Sequence, residues 1–232
     1  MKIVDVNLVT WPNHRKRFEY FCETVKSLQK YLTASRHEIV FHCSSESQMD
    51  EKQPWFGRDL QVFCAKNSVA LTWRHGPANL GANMNSSLIL GHAETILLVQ
   101  DDWELLGYLD LSPGIEFIER GGADLLRYSY PDIDEMRPTF VGNLDGWRRI
   151  DLHGNWPYGD DPHLRRRDFY KYWGKYLEGK GHGSASATLM QKLIRGGADI
   201  AAANRCFFKH FGDVTAVLDD TRNRRVTRED FC

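Results

Sequence analysis

The chain has 232 residues, of which 42% are hydrophobic and 26% charged, a composition that fits a soluble globular protein of one large domain or two small ones. With 30 Lys and Arg against 31 Asp and Glu, the net charge of -1 argues against a protein that grips nucleic acid through overall positive charge. Five scattered cysteines, Cys22, Cys43, Cys64, Cys206 and Cys232, are odd in number and lack CxxC spacing, which argues against a disulfide framework or a structural zinc site and for a reducing, cytoplasmic setting.

The first strand is expected over Ile3 to Trp11, β-branched and apolar, ended by Trp11-Pro12-Asn13. Phe18, Phe21, Cys22, Val25, Leu28 and Leu32 then recur at three and four residues, the stripe of an amphipathic helix. A second strand follows over His37 to Ser44, a helix over Trp55 to Ser68 and a third strand over Ala70 to Gly76. Next come a helix over Gly81 to His92 and a fourth strand over Glu94 to Gln100. Cys43 and Cys64 lie in apolar runs as small core residues.

The second half is less regular. Strands are expected within Gly122 to Pro131 and Gly146 to Leu152, and helices over Phe169 to Leu177 and Ser184 to Arg195. Two short strands around a turn are expected over Ala198 to Gly212, and a charged tail ends the chain. The run from Leu164 to Lys175 is a candidate local basic patch. The N-terminus lacks the pattern of a signal peptide, and no stretch approaches the roughly 18 apolar residues of a membrane span.

Strands alternating with helices imply βαβ units, hence an α/β fold with a mixed, mostly parallel sheet flanked by helices. Ligands of such sheets bind beyond the carboxyl ends of the strands. Asp101 and Asp102 fall there, directly after the fourth strand. Adjacent carboxylates at a strand end suit a hard divalent cation, Mg²⁺ or Mn²⁺, whose shell is completed by phosphate oxygens. Taken alone, the pair reads first as solvated loop aspartates, one of them capping the next helix.

The surroundings add to this. The stretch NLGANMNSSLILGHAETILLVQDDW, Asn79 to Trp103, resembles the central segment of GT-A glycosyltransferases: an Asn-x-Gly turn, a helix with a further Asn, an apolar strand and an acidic DxD-type motif. Here the triplet is Gln100-Asp101-Asp102. Val6 to Leu28 resembles the first strand and helix of that family, Phe207 to Gly212 its Phe-x-His-x-Gly element, and Trp156 to Gly179 the acceptor-side region of its small bacterial and viral members. The resemblance covers roughly residues 1 to 215.

It implies a single Rossmann-like GT-A domain over 1–232, with a nucleotide-sugar-binding half (1–103), an acceptor-side half (104–215) and a charged tail (216–232). It implies transfer of a sugar from a nucleoside-diphosphate sugar to a hydroxyl acceptor, dependent on Mn²⁺ or Mg²⁺, with no nucleic acid as partner. Asp102 would be the main metal ligand and His210 a further one. Asp101 would hold the ribose or the water shell of the metal. Thr10, Trp11 and Arg17 would lie near the base and diphosphate, and Asn79 and Gly81 would shape the turn beside the nucleotide. Inverting members carry a general base at a helix start, in an x-E-D motif. Aligning Ser184 to Ala201 with that helix puts Ser186, or Ala185 beside it, at the carboxylate position. Neither is a base at neutral pH, so Asp160, Asp161, Glu178 or His182 is expected to substitute. A retaining mechanism would need no dedicated base, and a chain that binds the nucleotide sugar without catalysis would need none either.

Two other classes stand beside this reading. A nucleotidyltransferase uses a similar sheet, but usually with a glycine-rich basic loop after the first strand, where this chain has TWPNHRKR. A noncatalytic sugar- or nucleotide-binding protein would keep the same fold. The aromatics Trp147, Trp156, Tyr158, Tyr170, Tyr172, Trp173 and Tyr176 would stack on sugars in either case, or belong to the core.

Overall fold

Alternation along the first strand sets the layers. In β1 (Lys2–Val9), Val4, Val6 and Leu8 enter one apolar cluster and Val9 enters another on the opposite face of the sheet, as the two-residue period of a strand requires. The structure, a computed structural model, describes residues 2–10, 15–46, 54–75, 79–130, 137–179 and 182–211. The chain continues through α1 (Arg15–Tyr31), β2 (Leu32–Thr33), β3 (His37–Glu46), α2 (Pro54–Lys66), β4 (Val69–Arg74), α3 (Leu80–Ser87) and β5 (Thr95–Gln100). The second half adds β6 (Trp103–Leu105), β7 (Leu109–Asp110), α4 (Ser112–Glu119), β8 (Leu125–Arg127), β9 (Phe140–Leu144), β10 (Trp147–Ile150) and β11 (His163–Arg166). It closes with α5 (Phe169–Trp173), α6 (His182–Gly196), β12 (Ile200–Ala202) and β13 (Phe208–His210).

Nine of these strands form one sheet in the order β4-β3-β1-β5-β11-β8-β12-β10-β9. Only β11 and β10 run against the other seven, so the sheet is mixed and mostly parallel, as expected. One cluster carries residues of α1, α2 and α4, the other residues of α3, α5 and α6. Cys43 and Cys64 are buried in the first. Among the described residues, no helix is long and apolar enough to cross a membrane.

The expected elements of the first half are present, with one change. The helix expected to reach His92 stops at Ser87. The side chains of Asn7 and Arg167 cap the carbonyls freed there: Asn7 Nδ2 donates to Ser87 O at 2.5 Å, and Arg167 Nη1 donates to Leu88 O at 3.2 Å and Leu90 O at 2.8 Å. Arg167 also bonds the buried Asp5 carboxylate, which accepts from Ala93 N–H at 2.7 Å and contacts His42 Nε2 at 3.0 Å. Burial alone would raise the Asp5 carboxyl, but His42, the Ala93 amide and Arg167 hold it below the ordinary range.

The second half departs further. The stretch read as a basic patch contains β11, an interior strand of the sheet. Arg165 is 1% exposed between the rings of Phe169 and Tyr176, Arg167 serves Asp5, and Arg166 is the outward member, paired with Asp168. The strands expected as neighbours within Ala198 to Gly212 do not pair: β12 lies in the main sheet beside β8 and β10, and β13 pairs with β6. The charged tail lies outside the described residues.

Candidate active site

The strands that run parallel to β1 deliver their last residues to one edge: Thr10 after β1, Glu46 on β3, Arg74 on β4 and Asp101-Asp102 after β5. Asp101 and Asp102 are 1% and 2% exposed, which demands compensation for two adjacent charges. It comes from α1. Arg17 Nη2 lies 2.9 Å from Asp101 Oδ1 and Arg17 Nη1 donates to Asp102 Oδ2 at 2.7 Å, so one guanidinium bridges both carboxylates. Thr10 Oγ1 donates to Asp101 Oδ2 at 2.8 Å, and Thr24 Oγ1 to the Asp101 carbonyl at 3.0 Å. Burial opposes the charge of Arg17, yet Asp101 and Asp102 hold the guanidinium above the ordinary arginine value.

The β6–β13 ribbon brings His210 to the same pair. His210 stands opposite Trp103 in register, their ring centroids 4.8 Å apart, and its Nε2 lies 3.2 Å from Asp102 Oδ2. Phe211 N–H donates to the Asp102 carbonyl at 2.8 Å. The geometry therefore gathers Thr10, Arg17, Asp101, Asp102 and His210 at one point. The divalent cation implied there would meet a guanidinium that already lies between the carboxylates. Asp101 Oδ1, Asp101 Oδ2 and Asp102 Oδ2 face N–H or O–H donors, and the fourth oxygen, Asp102 Oδ1, is buried and accepts no hydrogen bond among the described residues. Trp11 lies outside the described residues.

Asn79 and Gly81 open α3 beside this edge. Asn79 caps the helix by accepting from Ala82 N–H at 2.9 Å, and its own N–H donates to Glu46 Oε1 at 2.7 Å. Glu46, fully buried, also accepts from Arg74 Nη2 at 2.8 Å. Asn83 ties the turn to β1 and β3, donating to the Thr10 carbonyl at 2.9 Å and accepting from Ser44 Oγ at 2.6 Å. A Cβ at Gly81 would stand 2.2 Å from the Leu177 carbonyl oxygen, so the close passage of two backbones fixes glycine there. Glu46, Arg74, Ser44 and Asn83 escaped the sequence reading. Their signal was position alone, each at a strand end or in the helix after the Asn-x-Gly turn.

The second carboxylate pair divides. Asp161 is buried and bonded to the fully buried Arg127, which also donates to the carbonyls of Trp156 at 3.1 Å and Pro157 at 3.4 Å. Burial raises the Asp161 carboxyl, against the opposing pull of Arg127. Asp160 is half-buried and held by hydroxyls. Tyr158 donates to its Oδ1 at 3.1 Å and Ser186 Oγ to its Oδ2, while Tyr158 and Tyr176 hydroxyls meet at 2.5 Å. Tyr158 and Tyr176 are buried, so they form the core behind this carboxylate and offer no stacking face. Behind them His163 is buried, and its Nδ1–H donates to the Asp161 carbonyl at 2.6 Å. Burial, then the charge of Arg165, holds His163 well below its usual range and so neutral. Glu178 accepts from Asn85 Nδ2 at 2.8 Å, and Asn85 also brackets Tyr176, donating to its carbonyl at 3.0 Å and accepting from its N–H at 2.9 Å. His182 opens α6; its side chain is outside the description.

No protein-family model and no curated protein matches the sequence. Solved structures do match the fold. S. aureus TarS residues 1-349 is similar over 90% of this chain and 60% of that one, at TM-score 0.58 and 15% identity. The same fragment in complex with UDP gives TM-score 0.56 and 16% identity, with 90% of this chain and 60% of that one covered. The chain thus spans less than two thirds of these neighbours, and what it shares with them is the fold.

Proposed function

We propose that the chain moves a sugar from a nucleoside-diphosphate sugar to a hydroxyl acceptor. The donor lies along the carboxyl edge formed by Thr10, Arg17, Asn79, Gly81 and Asp101, and the acceptor lies over Asp160. The observation that carries this reading is the contact between Asp160 and Ser186. Ser186 is the position at which the GT-A resemblance expects the catalytic carboxylate, and the Asp160 carboxylate rests against its hydroxyl. The charge missing from the helix is supplied from the loop before β11. The shared fold and the UDP complex of a fold neighbour support the donor class.

In the reaction, Asp160 takes the proton of the acceptor hydroxyl as its oxygen bonds to the anomeric carbon. The bond from that carbon to the diphosphate breaks, and the electron pair leaves with the nucleoside diphosphate. Of the four expected bases, Asp161 is committed to Arg127 and Glu178 to Asn85. Asp160 is the half-buried member of the pair.

The test is a transfer assay with a panel of nucleotide sugars and glycan acceptors, followed by Asp160→Asn. Turnover should fall about 10²–10⁴-fold, with nucleoside-diphosphate affinity near that of the parent. Unchanged turnover would remove Asp160 as base, and absence of transfer and of nucleotide binding by the parent would remove the reading itself.

A further inference from the structure

We infer that Arg17 is the resident cation of this site, and that it lets the carboxyl edge take a nucleoside diphosphate without a divalent metal. The inference rests on the nucleotide-sugar reading above. It starts from a disagreement between an acidic pair that the sequence assigns to Mn²⁺ or Mg²⁺ and a structure in which a guanidinium lies between the two carboxylates.

Three features make this a built arrangement. First, Arg17 reaches each aspartate through a different terminal nitrogen, at 2.9 Å and 2.7 Å, which matches the planar fork of a guanidinium. Second, Asp101 cannot turn away to serve a metal. Thr10 holds its other oxygen and Thr24 holds its carbonyl. Third, the Arg17 side chain is 15% exposed, so its bonds to the pair are shielded from water and from competing ions. A Mg²⁺ or Mn²⁺ ion would find Asp102 Oδ1 without a hydrogen bond among the described residues, but to gain the other three oxygens of the pair it would have to expel a buried cation.

The remaining donors point to the ligand. A guanidinium has five N–H groups, and the aspartates engage two nitrogens from one side. The rest of the fork is left for a further acceptor. Phosphate oxygens suit it, because they accept paired N–H bonds as carboxylates do. Arg17 therefore does two jobs that a metal would otherwise combine: it neutralises the acidic pair and donates to the diphosphate. Gln100, where the family motif often has an acid, fits the same account, since a single guanidinium then faces one carboxylate fewer.

Calorimetric titration of the full chain with UDP, and with GDP, CDP and dTDP in parallel, tests this in EDTA and in Mn²⁺. The nucleotide that binds should do so with equal affinity, within about twofold, in both conditions. Arg17→Ala should weaken that binding in EDTA about 10- to 100-fold, the loss expected for a charge-assisted hydrogen bond. Manganese paramagnetic resonance without nucleotide should show free Mn²⁺ with the parent and bound Mn²⁺ with Arg17→Ala, whose vacated carboxylates are then open. Binding by the parent only in the presence of Mn²⁺ would overturn the inference and leave the nucleotide reading standing. Failure of every nucleotide in both conditions would overturn both. If Arg17→Ala does not fold, the parent titrations in EDTA and Mn²⁺ still decide.

Discussion

Among the described residues the dipeptide Asp-Asp occurs twice, and the two copies are handled in opposite ways. Asp101 and Asp102 share a single arginine, Arg17, which bridges them into one unit at the edge of the sheet. Asp160 and Asp161 are separated by their partners: Asp161 belongs to Arg127 inside the protein, and Asp160 belongs to the hydroxyls of Tyr158 and Ser186. The Asp161 carboxylate is committed to a buried guanidinium. The first pair is thus closed into one unit, and the second is divided between two sets of partners.

The widest separation expected between the two members of the second pair is in stability. Arg127→Met leaves Asp161 buried without its partner, and urea denaturation should register a loss of about 3–5 kcal/mol. Asp160→Asn, which keeps the shape but replaces one accepting oxygen with an NH₂ donor, should lose about 1 kcal/mol. Equal losses would erase the distinction. A smaller effect should appear with pH. His163 is held neutral, so below about pH 6.5 the unfolded chain binds a proton that the folded chain refuses. Stability should therefore fall with falling pH by up to about 1.4 kcal/mol per unit at this position. Asp161, whose value is raised, acts with the opposite sign: its contribution is present at low pH and lost as pH rises. Subtracting the denaturation profile of His163→Gln from that of the parent isolates the histidine, and identical profiles would refute the assignment. The smallest effect belongs to the hydroxyls. Ser186→Ala and Tyr158→Phe should each lose about 0.5–1.5 kcal/mol by the same denaturation measurement. In a transfer assay each should alter turnover more than nucleotide affinity.

The alternation of β1, α1, β3, α2, β4, α3 and β5 was legible because each element carries its own period, and it led directly to Asp101 and Asp102. The second half hid its elements in misleading residues. Helix α4 begins with Ser112-Pro113-Gly114, which reads as a turn, although proline in the first turn of a helix loses no needed hydrogen bond. Strand β11 reads as surface because His163, Arg165 and Arg166 are polar, yet its first three residues are buried. The partners at the site were harder still. The resemblance put Arg17 near the diphosphate but not between the two aspartates, since nothing local marks an arginine that will meet carboxylates 85 positions on. The meeting of Asp160 with Ser186, across 26 positions, likewise depends on how the loop before β11 packs against α6.

The passage of the chain past Gly81 bears on redesign of the loop after α5. The loop after α5 is gripped through main-chain atoms: Asn85 holds the amide and carbonyl of Tyr176, and the Leu177 carbonyl occupies the space a side chain at position 81 would need. The side chains of Lys175, Leu177 and Glu178 are exposed and, apart from the bond from Glu178 to Asn85, do not carry this grip. A mutational library can therefore vary Lys175 and Leu177 broadly while the loop keeps its path, provided Gly81, Asn85 and Tyr176 stay fixed. Even alanine at position 81 would push the loop outward at 177, and the displacement would reach Tyr158 through Tyr176, far from the mutated residue in sequence.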